Sequence, residues 1–401
     1  MEKVYIVAAR RTALGSFGGA FKGTPAPELG AAAIRAALED CAIDPAKIDE
    51  VFVGNVLQGA QGMGPGRQAS IAAGIPDTVP AHTMNMICCS GMKTVMLGAQ
   101  SIRVGDNRLV VSAGMENMSR SPYNVSSDMR WGKKLGSMSL DDTLITDGLT
   151  DVFNNYHMGI TAENIARKHN LTREQQDEFA VVSQKRADTA QKEGRFKAEI
   201  VPFTVKSRRK ETVVDSDEYP KPETTVDSLS SLRPAFDREG TVTAGNASGI
   251  NDGASAIILA SESAVKEFNL TPLAEVVADA QAGVDPAYMG LGPVPAVSRL
   301  MKKTGMKLED VDLFELNEAF AAQSLGVLKE MADEHGVSTE WLLERCNVNG
   351  GAIALGHPLG ATGNRILVTL LYELKRQGKK TGVATLCAGG GMGTAVLLKL
   401  E

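Results

Sequence analysis

No run of about 18 apolar residues, the length a bilayer-crossing helix needs, occurs anywhere in the 401-residue chain. Cysteine is scarce and odd in number, five residues with no spacing that reads as a disulfide framework. The adjacent pair Cys88 and Cys89 lacks the CxxC spacing and the partners of a zinc site, so no metal centre is expected. Positive charge is not in excess. A net charge of -6 gives no reason to expect a nucleic-acid partner. The opening MEKVYIVAARRT shows neither the apolar h-region of a signal peptide nor the Arg- and Ser-rich amphipathic pattern of a transit peptide. The expectation is a soluble protein of a reducing cytoplasm, without membrane or nucleic-acid partners.

What is present suits a folded enzyme-sized chain. With 43% hydrophobic and 22% charged residues it can bury one large core or two ordinary ones. Short apolar strands (Val4–Ala9, Val51–Val53, Leu109–Ser112) alternate with helical stretches such as Glu28–Asp40, a pattern of layered α/β architecture. From about Arg120 to Gly249 the texture turns polar and turn-rich. It includes MRWGKKLGSMSLDD and a charged amphipathic helix that Thr172 and Gln175 would open with a capping box. That segment reads as an insertion lying over a core, and the Ala/Val/Leu texture then returns.

The outer regions echo each other. IDPAKIDEVFVGN (Ile43–Asn55) aligns with MKLEDVDLFELNEA (Met306–Ala319): a turn, Ile48-Asp49 against Val311-Asp312, then a strand ending at Asn55 or Asn317. Downstream, Cys88 and His357 each lead into a small-residue turn and a helix. One helix carries Met92, Val95, Met96, Ala99 and Ile102 and stops at Gly105. The other carries Ile366, Leu367, Leu370 and Leu374 and stops at Gly378. Each is followed by a strand and a glycine. In register over four elements, this favours a duplicated α/β half and sets Cys88 and His357 facing each other across a pseudo-twofold axis. The division expected is residues 1–119 plus 250–271, an inserted loop domain 120–249, and 272–401.

Four places could carry chemistry. Cys88, at a strand-to-helix junction beside Ser90 and Gly91, could be a nucleophile whose pKa the first-turn amides and helix dipole lower, or an inert buried thiol. In NVNGGAIALGHPLGATG, glycines at 350, 351, 356, 360 and 363 surround His357 with a tight, exposed backbone course that a packed core would not require. A neutral imidazole beside a thiol is suited to take its proton. LCAGGGMG, with Cys387 at a strand end, runs into another strand, so it is no dinucleotide fingerprint; a loop offering N–H groups to an oxyanion fits better. Asn317 and Glu318, directly after an apolar strand, could orient water or a carbonyl, or cap the next helix.

With these residues in hand, the chain resembles the thiolase family, and within it the acetyl-CoA acetyltransferase (acetoacetyl-CoA thiolase) type. The resemblance rests on NMICCSGM, YHMGITAEN, LRPAFDREGTVTAGNASGINDGASA, DPAYMGLGPVPA, LNEAFAAQ, NVNGGAIALGHPLGATG and LCAGGGMGTA, and spans essentially the whole chain. It implies the thiolase fold, duplicated βαβ halves in an α-β-α-β-α core. It implies reversible condensation of two acetyl-CoA to acetoacetyl-CoA plus CoA, ping-pong, with no cofactor beyond the CoA that is part of the substrate. By the family pattern Cys88 is the acyl-carrying nucleophile, His357 its base, and Cys387 the thiol that deprotonates the second acetyl-CoA. Asn317 holds a water that forms an oxyanion hole with His357. The N–H groups of Cys88 and Gly389 form the second hole. Ser248, Ala247, Met158, His157, Met289, Phe320 and Lys221 match positions lining the CoA tunnel. His157 resembles a residue of the short-chain branch. A tetramer of tight dimers is implied, with MRWGKKLGSMSLDD a candidate contact.

Three features depart from the pattern. Lys221 stands where relatives often have Arg, keeping the charge and losing the planar stacking face. Leu328–Cys346 looks like an inserted turn and helix. Cys89 replaces a very small residue and is expected to be spectator packing; should the site oxidise, Cys88 with Cys387 is the expected disulfide. The basic run Lys206, Arg208, Arg209 and Lys210 could attract CoA phosphates, though a solvated face is the preferred reading. The nearest alternative is a 3-ketoacyl-CoA thiolase of fatty-acid degradation. A decarboxylating condensing enzyme would leave Cys387 without a task, and a catalytically dead acyl-CoA-binding scaffold is at odds with intact Cys88, His357 and Cys387.

Overall fold

A computed structural model describes residues 2–206 and 210–401. The elements that position the site are, in chain order, β1 (Val4–Thr12), α1 (Ala26–Cys41), β2 (Glu50–Gly54), β3 (Ala81–Met84), α2 (Ser90–Val104), β4 (Leu109–Asn117), α3 (Met158–His169) and α4 (Arg173–Lys192). They continue with β5 (Asn251–Ser261), β6 (Ala274–Gly283), α5 (Pro293–Thr304), β7 (Leu313–Leu316), α6 (Ala321–His335), α7 (Leu359–Gln377), β8 (Thr381–Ala388) and β9 (Met392–Leu400).

The main sheet runs β7-β8-β9-β6-β1-β5-β4-β2-β3. Read outward from its centre, the two halves mirror each other. β2 pairs in parallel with β4, and β7 in parallel with β8; each pair is then extended by antiparallel neighbours. β1 and β6 join the halves through only two residue pairs, Tyr5–Glu275 and Ile6–Ala274. Even an irregularity repeats: β1 shifts register against β5 between Ile6 and Ala8, and β6 against β9 between Val276 and Ala278. The predicted alignment of Asp49 with Asp312 is visible as shared bonding. Asp49 Oδ2 accepts from the N–H groups of Arg108 and Leu109, and Asp312 Oδ2 from those of Lys380 and Thr381, at 2.7–2.9 Å.

Three buried layers follow. The apolar faces of α2 (Met92, Val95, Met96, Ala99, Ile102) and α7 (Ile366, Leu367, Leu370, Leu374) pack together between the inner faces of the two half-sheets. α1 covers one outer face, while α5 and α6 cover the other. This is the expected α-β-α-β-α stack, driven by burying two amphipathic helices on both sides. α2 stops at Gly105 (φ 87°) and α7 at Gly378 (φ 64°), glycines supplying the left-handed cap. The capping box of Thr172 and Gln175 opens α4.

The segment between β4 and β5 adds α3, α4 and several short ribbons, one of whose strands, Ile200–Val201, pairs with β1. In Leu328–Cys346, α6 ends at Gly336 and a short helix, Thr339–Arg345, follows. Its Trp341 packs edge-on against Phe314 of β7. Of the basic run, Lys206 faces Glu211 at 3.5 Å on the surface, and Arg208 and Arg209 lie outside the described residues. No helix among the described residues is long and apolar enough to cross a membrane.

Candidate active site

Cys88 projects from a turn between β3 and α2. Ile87, just before it, adopts φ 49°, a left-handed conformation that costs a β-branched residue roughly 1–2 kcal/mol. Hydrogen bonds hold it there. Ile87 N–H donates to Asn85 Oδ1 (2.8 Å), Met86 N–H to Ser90 Oγ (2.8 Å), and Ser90 Oγ to the Ile87 carbonyl (2.6 Å). The turn presents Cys88 half-buried, with the N–H groups of Gly389 and of Cys88 itself directed at its sulfur. Val56, Leu57, Met118, Leu144 and Leu359 wall it in.

The sequence-based expectation of a lowered pKa is overturned. Cys88 precedes the first turn of α2, and its apolar walls push the thiol up to about 12; the two N–H groups oppose this, and the Glu116 charge adds to it. The resting site therefore holds a thiol and needs a base. We expect inactivation by iodoacetamide to accelerate roughly tenfold per pH unit from pH 6 to 9.5, tracking the thiolate fraction. A plateau above pH 7 in the rate constants would show that a thiolate is already present at rest.

The exposed backbone course expected around His357 is not found: residues 349–363 are buried, the glycines there permitting close packing. His357 is 5% exposed and follows Gly356, whose φ of 105° only glycine adopts freely. The main-chain N–H of His357 donates to Asn251 Oδ1 (3.1 Å). Its tautomer follows from donor order. Thr362 Oγ1 donates to the Pro358 carbonyl (2.9 Å), so it accepts from His357 Nδ1–H (2.6 Å), which leaves the lone pair on Nε2. Asn317 Nδ2 lies 3.4 Å from that nitrogen, on the donor side. Burial, with the nearby Arg365 charge, lowers the imidazole pKa to about 3. His357 is thus a neutral imidazole whose basic nitrogen faces the Asn317 amide.

Cys387, 1% exposed at the end of β8, lies in one apolar cluster with Met158, Ala247, Met289 and Phe320. Burial, then the neighbouring Cys88 and Cys89, raises its pKa well above the ordinary thiol value. Cys89 is fully buried in the middle layer. Its Sγ donates to the Leu386 carbonyl (3.5 Å) and accepts from Thr394 Oγ1 (3.3 Å), tying the start of α2 to β8 and β9. All five cysteines are free thiols.

Asn317 is buried, and its Oδ1 finds no hydrogen-bond partner among the described residues. Glu318 turns away: it accepts from Ser183 Oγ (2.6 Å), Asn347 Nδ2 (2.8 Å) and Ile353 N–H (3.2 Å). Neither residue caps α6, which begins after Phe320 without a side-chain cap.

The residues matched to the CoA tunnel come together, with one exception. Ala247 bridges to Phe320, and Ser248 N–H donates to the Ala319 carbonyl (3.0 Å). His157 accepts from Gly159 N–H on Nδ1 (3.0 Å), which puts its proton on Nε2, and its ring stacks on Phe236 at 4.5 Å. Phe236 meets Phe320 edge-on at 6.1 Å. Lys221 stands one step out, its ammonium 4.8 Å above the Tyr219 ring, which lies against Gly249. Phe236, Thr362, Asn251 and Glu116 were not singled out from sequence. Phe236 and Asn251 fall in LRPAFDREGTVTAGNASGINDGASA, a motif that carries the family resemblance, and Thr362 in the glycine-rich histidine motif; Glu116 falls in none of them. Among the described residues no group of His, Cys, Asp and Glu could hold a metal ion.

Two duplicated α/β halves that bring a thiol, a neutral imidazole and a second thiol to one seam define a protein built for covalent thiol chemistry. Residues 4–263 match the family described as "Thiolase, N-terminal domain" and residues 270–400 "Thiolase, C-terminal domain". The chain belongs to the thiolase family. It is 53% identical over 399 residues to the acetyl-CoA acetyltransferase of Pseudomonas aeruginosa, covering 99% of both chains. It superposes on the Bacillus anthracis acetyl-CoA acetyltransferase with TM-score 0.96 at 43% identity, and on human mitochondrial 3-ketoacyl-CoA thiolase with TM-score 0.95 at 44%. Each covers 100% of this chain and 99% of the other.

Proposed function

We propose that this protein is an acetyl-CoA acetyltransferase that condenses two acetyl-CoA to acetoacetyl-CoA and CoA, reversibly. The observation that carries the reading is the tautomer of His357, a neutral base whose unprotonated Nε2, 3.4 Å from the Asn317 amide, would serve a thiol that cannot ionise unaided.

In the first half, His357 takes the Cys88 proton as the sulfur attacks the acetyl carbonyl. The N–H groups of Cys88 and Gly389 stabilise the oxyanion, and CoA leaves with the proton of Cys387. In the second half, the Cys387 thiolate takes a proton from the methyl of another acetyl-CoA. Its raised pKa makes it a strong base for a weak carbon acid. Protonated His357 and a water held by Asn317 support the enolate oxygen. The enolate carbon attacks acetyl-Cys88, and the departing Cys88 sulfur recovers the proton from His357. All three groups return to their starting forms, with no resident cofactor. Met158, Met289, Ala247, Ser248, Phe320 and His157 would line the pantetheine path, with Lys221 at its outer rim.

The likeness to a human 3-ketoacyl-CoA thiolase is as close in fold, so substrate length is decided by the sequence relatives and by assay. Thiolysis of acetoacetyl-CoA is expected to exceed that of 3-ketooctanoyl-CoA by at least about tenfold in kcat/KM, the discrimination a few misplaced methylenes produce. Faster cleavage of the longer chain would make the protein a degradative thiolase. The reading extends to a cytoplasmic homo-oligomer, a tetramer built as a dimer of dimers, or a dimer. Association is supported by the exposed Tyr123, Trp131, Leu135 and Leu140 around the ribbon Tyr123–Val125/Leu140–Asp142.

A further inference from the structure

We propose that Glu116 is a positioning residue that locks the His357 loop of one half to the floor beneath Cys88 in the other, across the seam between the halves. The inference deepens the proposed function and rests on it.

Glu116 is fully buried near the end of β4. Its Oε1 accepts from Asn55 Nδ2 (2.7 Å) and Leu57 N–H (3.1 Å); Oε2 accepts from Val56 N–H (3.0 Å) and Gly360 N–H (2.8 Å). Three donors belong to the loop after β2, whose Val56 and Leu57 wall Cys88. The fourth is in the first turn of α7, three residues beyond His357. Burial raises the Glu116 carboxyl to about 7 against the pull of the Val56, Leu57 and Gly360 N–H groups; four N–H donors on two oxygens suit the ionised form it takes above that pH, since a carboxyl proton would point at one of them.

Two further observations make the contact more than packing. Pro358 opens α7 without a side-chain cap, so the Glu116 carboxylate occupies the place of an N-cap, supplied from the other half. The same turn is wedged into a glycine notch. A Cβ on Gly54, Gly91 or Gly114 would lie 2.9, 2.8 or 2.4 Å from the Gly360 carbonyl oxygen. Sterics set how deep α7 inserts, and Glu116 sets the rotation at which its first turn, and so His357, meets Cys88. The carboxylate also opposes ionisation of Cys88. Asp252, whose carboxylate Ser119 N–H and Oγ engage, is a charged group near it.

The test uses Glu116→Gln and Glu116→Asp, each compared with the unaltered protein. Gln keeps the shape, removes the charge and turns an N–H group toward two of the donors. We expect kcat for Cys88 acetylation to fall about 100-fold with KM within threefold, the cost of an ångström-scale misplacement. Alkylation of Cys88 by iodoacetamide should become faster at pH 8.5, where Glu116 is ionised in the unaltered protein, because the opposing charge is gone. Asp keeps the charge and withdraws the carboxylate; acetylation should fall tenfold or more while alkylation stays at the unaltered rate. A folded variant of either kind with kcat within threefold overturns the proposal, as does failure of both to fold, which would make Glu116 purely structural. Absence of acetyl-enzyme in the unaltered protein would instead sink the proposed function.

Discussion

Replacing Cys88 with serine is expected to cut acetyl-CoA condensation by at least about 10⁴-fold, the scale on which loss of an activated nucleophile acts. The structure explains why the loss should be so large. His357, held neutral with a pKa near 3, is a weak base. It can accept a proton from a thiol only because the sulfur attacks as the proton leaves and the N–H groups of Gly389 and Cys88 stabilise the charge that results. A hydroxyl is harder to deprotonate and forms an ester, which is a poorer acyl donor than a thioester. Its smaller oxygen also sits further from donors placed for sulfur. The check is incubation with acetyl-CoA carrying a labelled acetyl group, denaturation, and mapping of the label by peptide mass spectrometry. Label on residue 88 of the unaltered protein and none on the variant is the expected pair. Label at Cys89 or Cys387 instead would overturn the assignment, though Cys89 is closed off from solvent with its sulfur already bonded to Leu386 and Thr394.

How much of this could be read from residues alone depends on the range over which each feature is determined. Local signals were strong for the middle layer. The apolar stripes of α2 and α7 and their glycine stops lie within single helices, and both helices occur as read. The duplication was legible because each half repeats its own turn, aspartate and strand, and the matching bonds of Asp49 and Asp312 are its physical trace. β4 was read too short, ending at Ser112 instead of Asn117. Its last residues, Ala113-Gly114-Met115-Glu116-Asn117, have poor strand propensity and are held extended by pairing with Asp252–Ala256 of β5. The site divides in the same way. Cys88, His357, Cys387 and Asn317 sit in dense local motifs. Glu116 meets its partner Gly360, and Asn251 meets His357, across separations that no local pattern encodes. The pKa of Cys88 was misread for the same reason: a helix start is visible in sequence, whereas walls drawn from Val56, Met118, Leu144 and Leu359 are not.

Cys387→Ala should separate the two halves of the reaction. Acetylation of Cys88 is expected to stay within about tenfold, because CoA departs as a stable thiolate and the protonated His357 can supply its proton. Condensation and thiolysis should fall by about 10³-fold or more, near the upper range for a general base, since the alanine side chain has no atom that can take a proton from carbon. The observable is a burst of CoA, one equivalent per active site, followed by almost no steady release. Truncation removes one sulfur from a closely packed apolar cluster, costing about 1 kcal/mol of stability, too little to unfold the chain. The burst reports that the protein is intact in the same experiment. Two outcomes would refute the role. Condensation above a tenth of the unaltered rate would place the base elsewhere. Loss of the burst itself would mean that Cys387 is needed to acylate Cys88. The expected result requires that the three sulfurs, crowded as they are, have divided tasks: Cys88 carries the acetyl group, Cys387 moves the proton, and Cys89, its hydrogen bonds spent on Leu386 and Thr394, holds the start of α2 against the strand that carries Cys387.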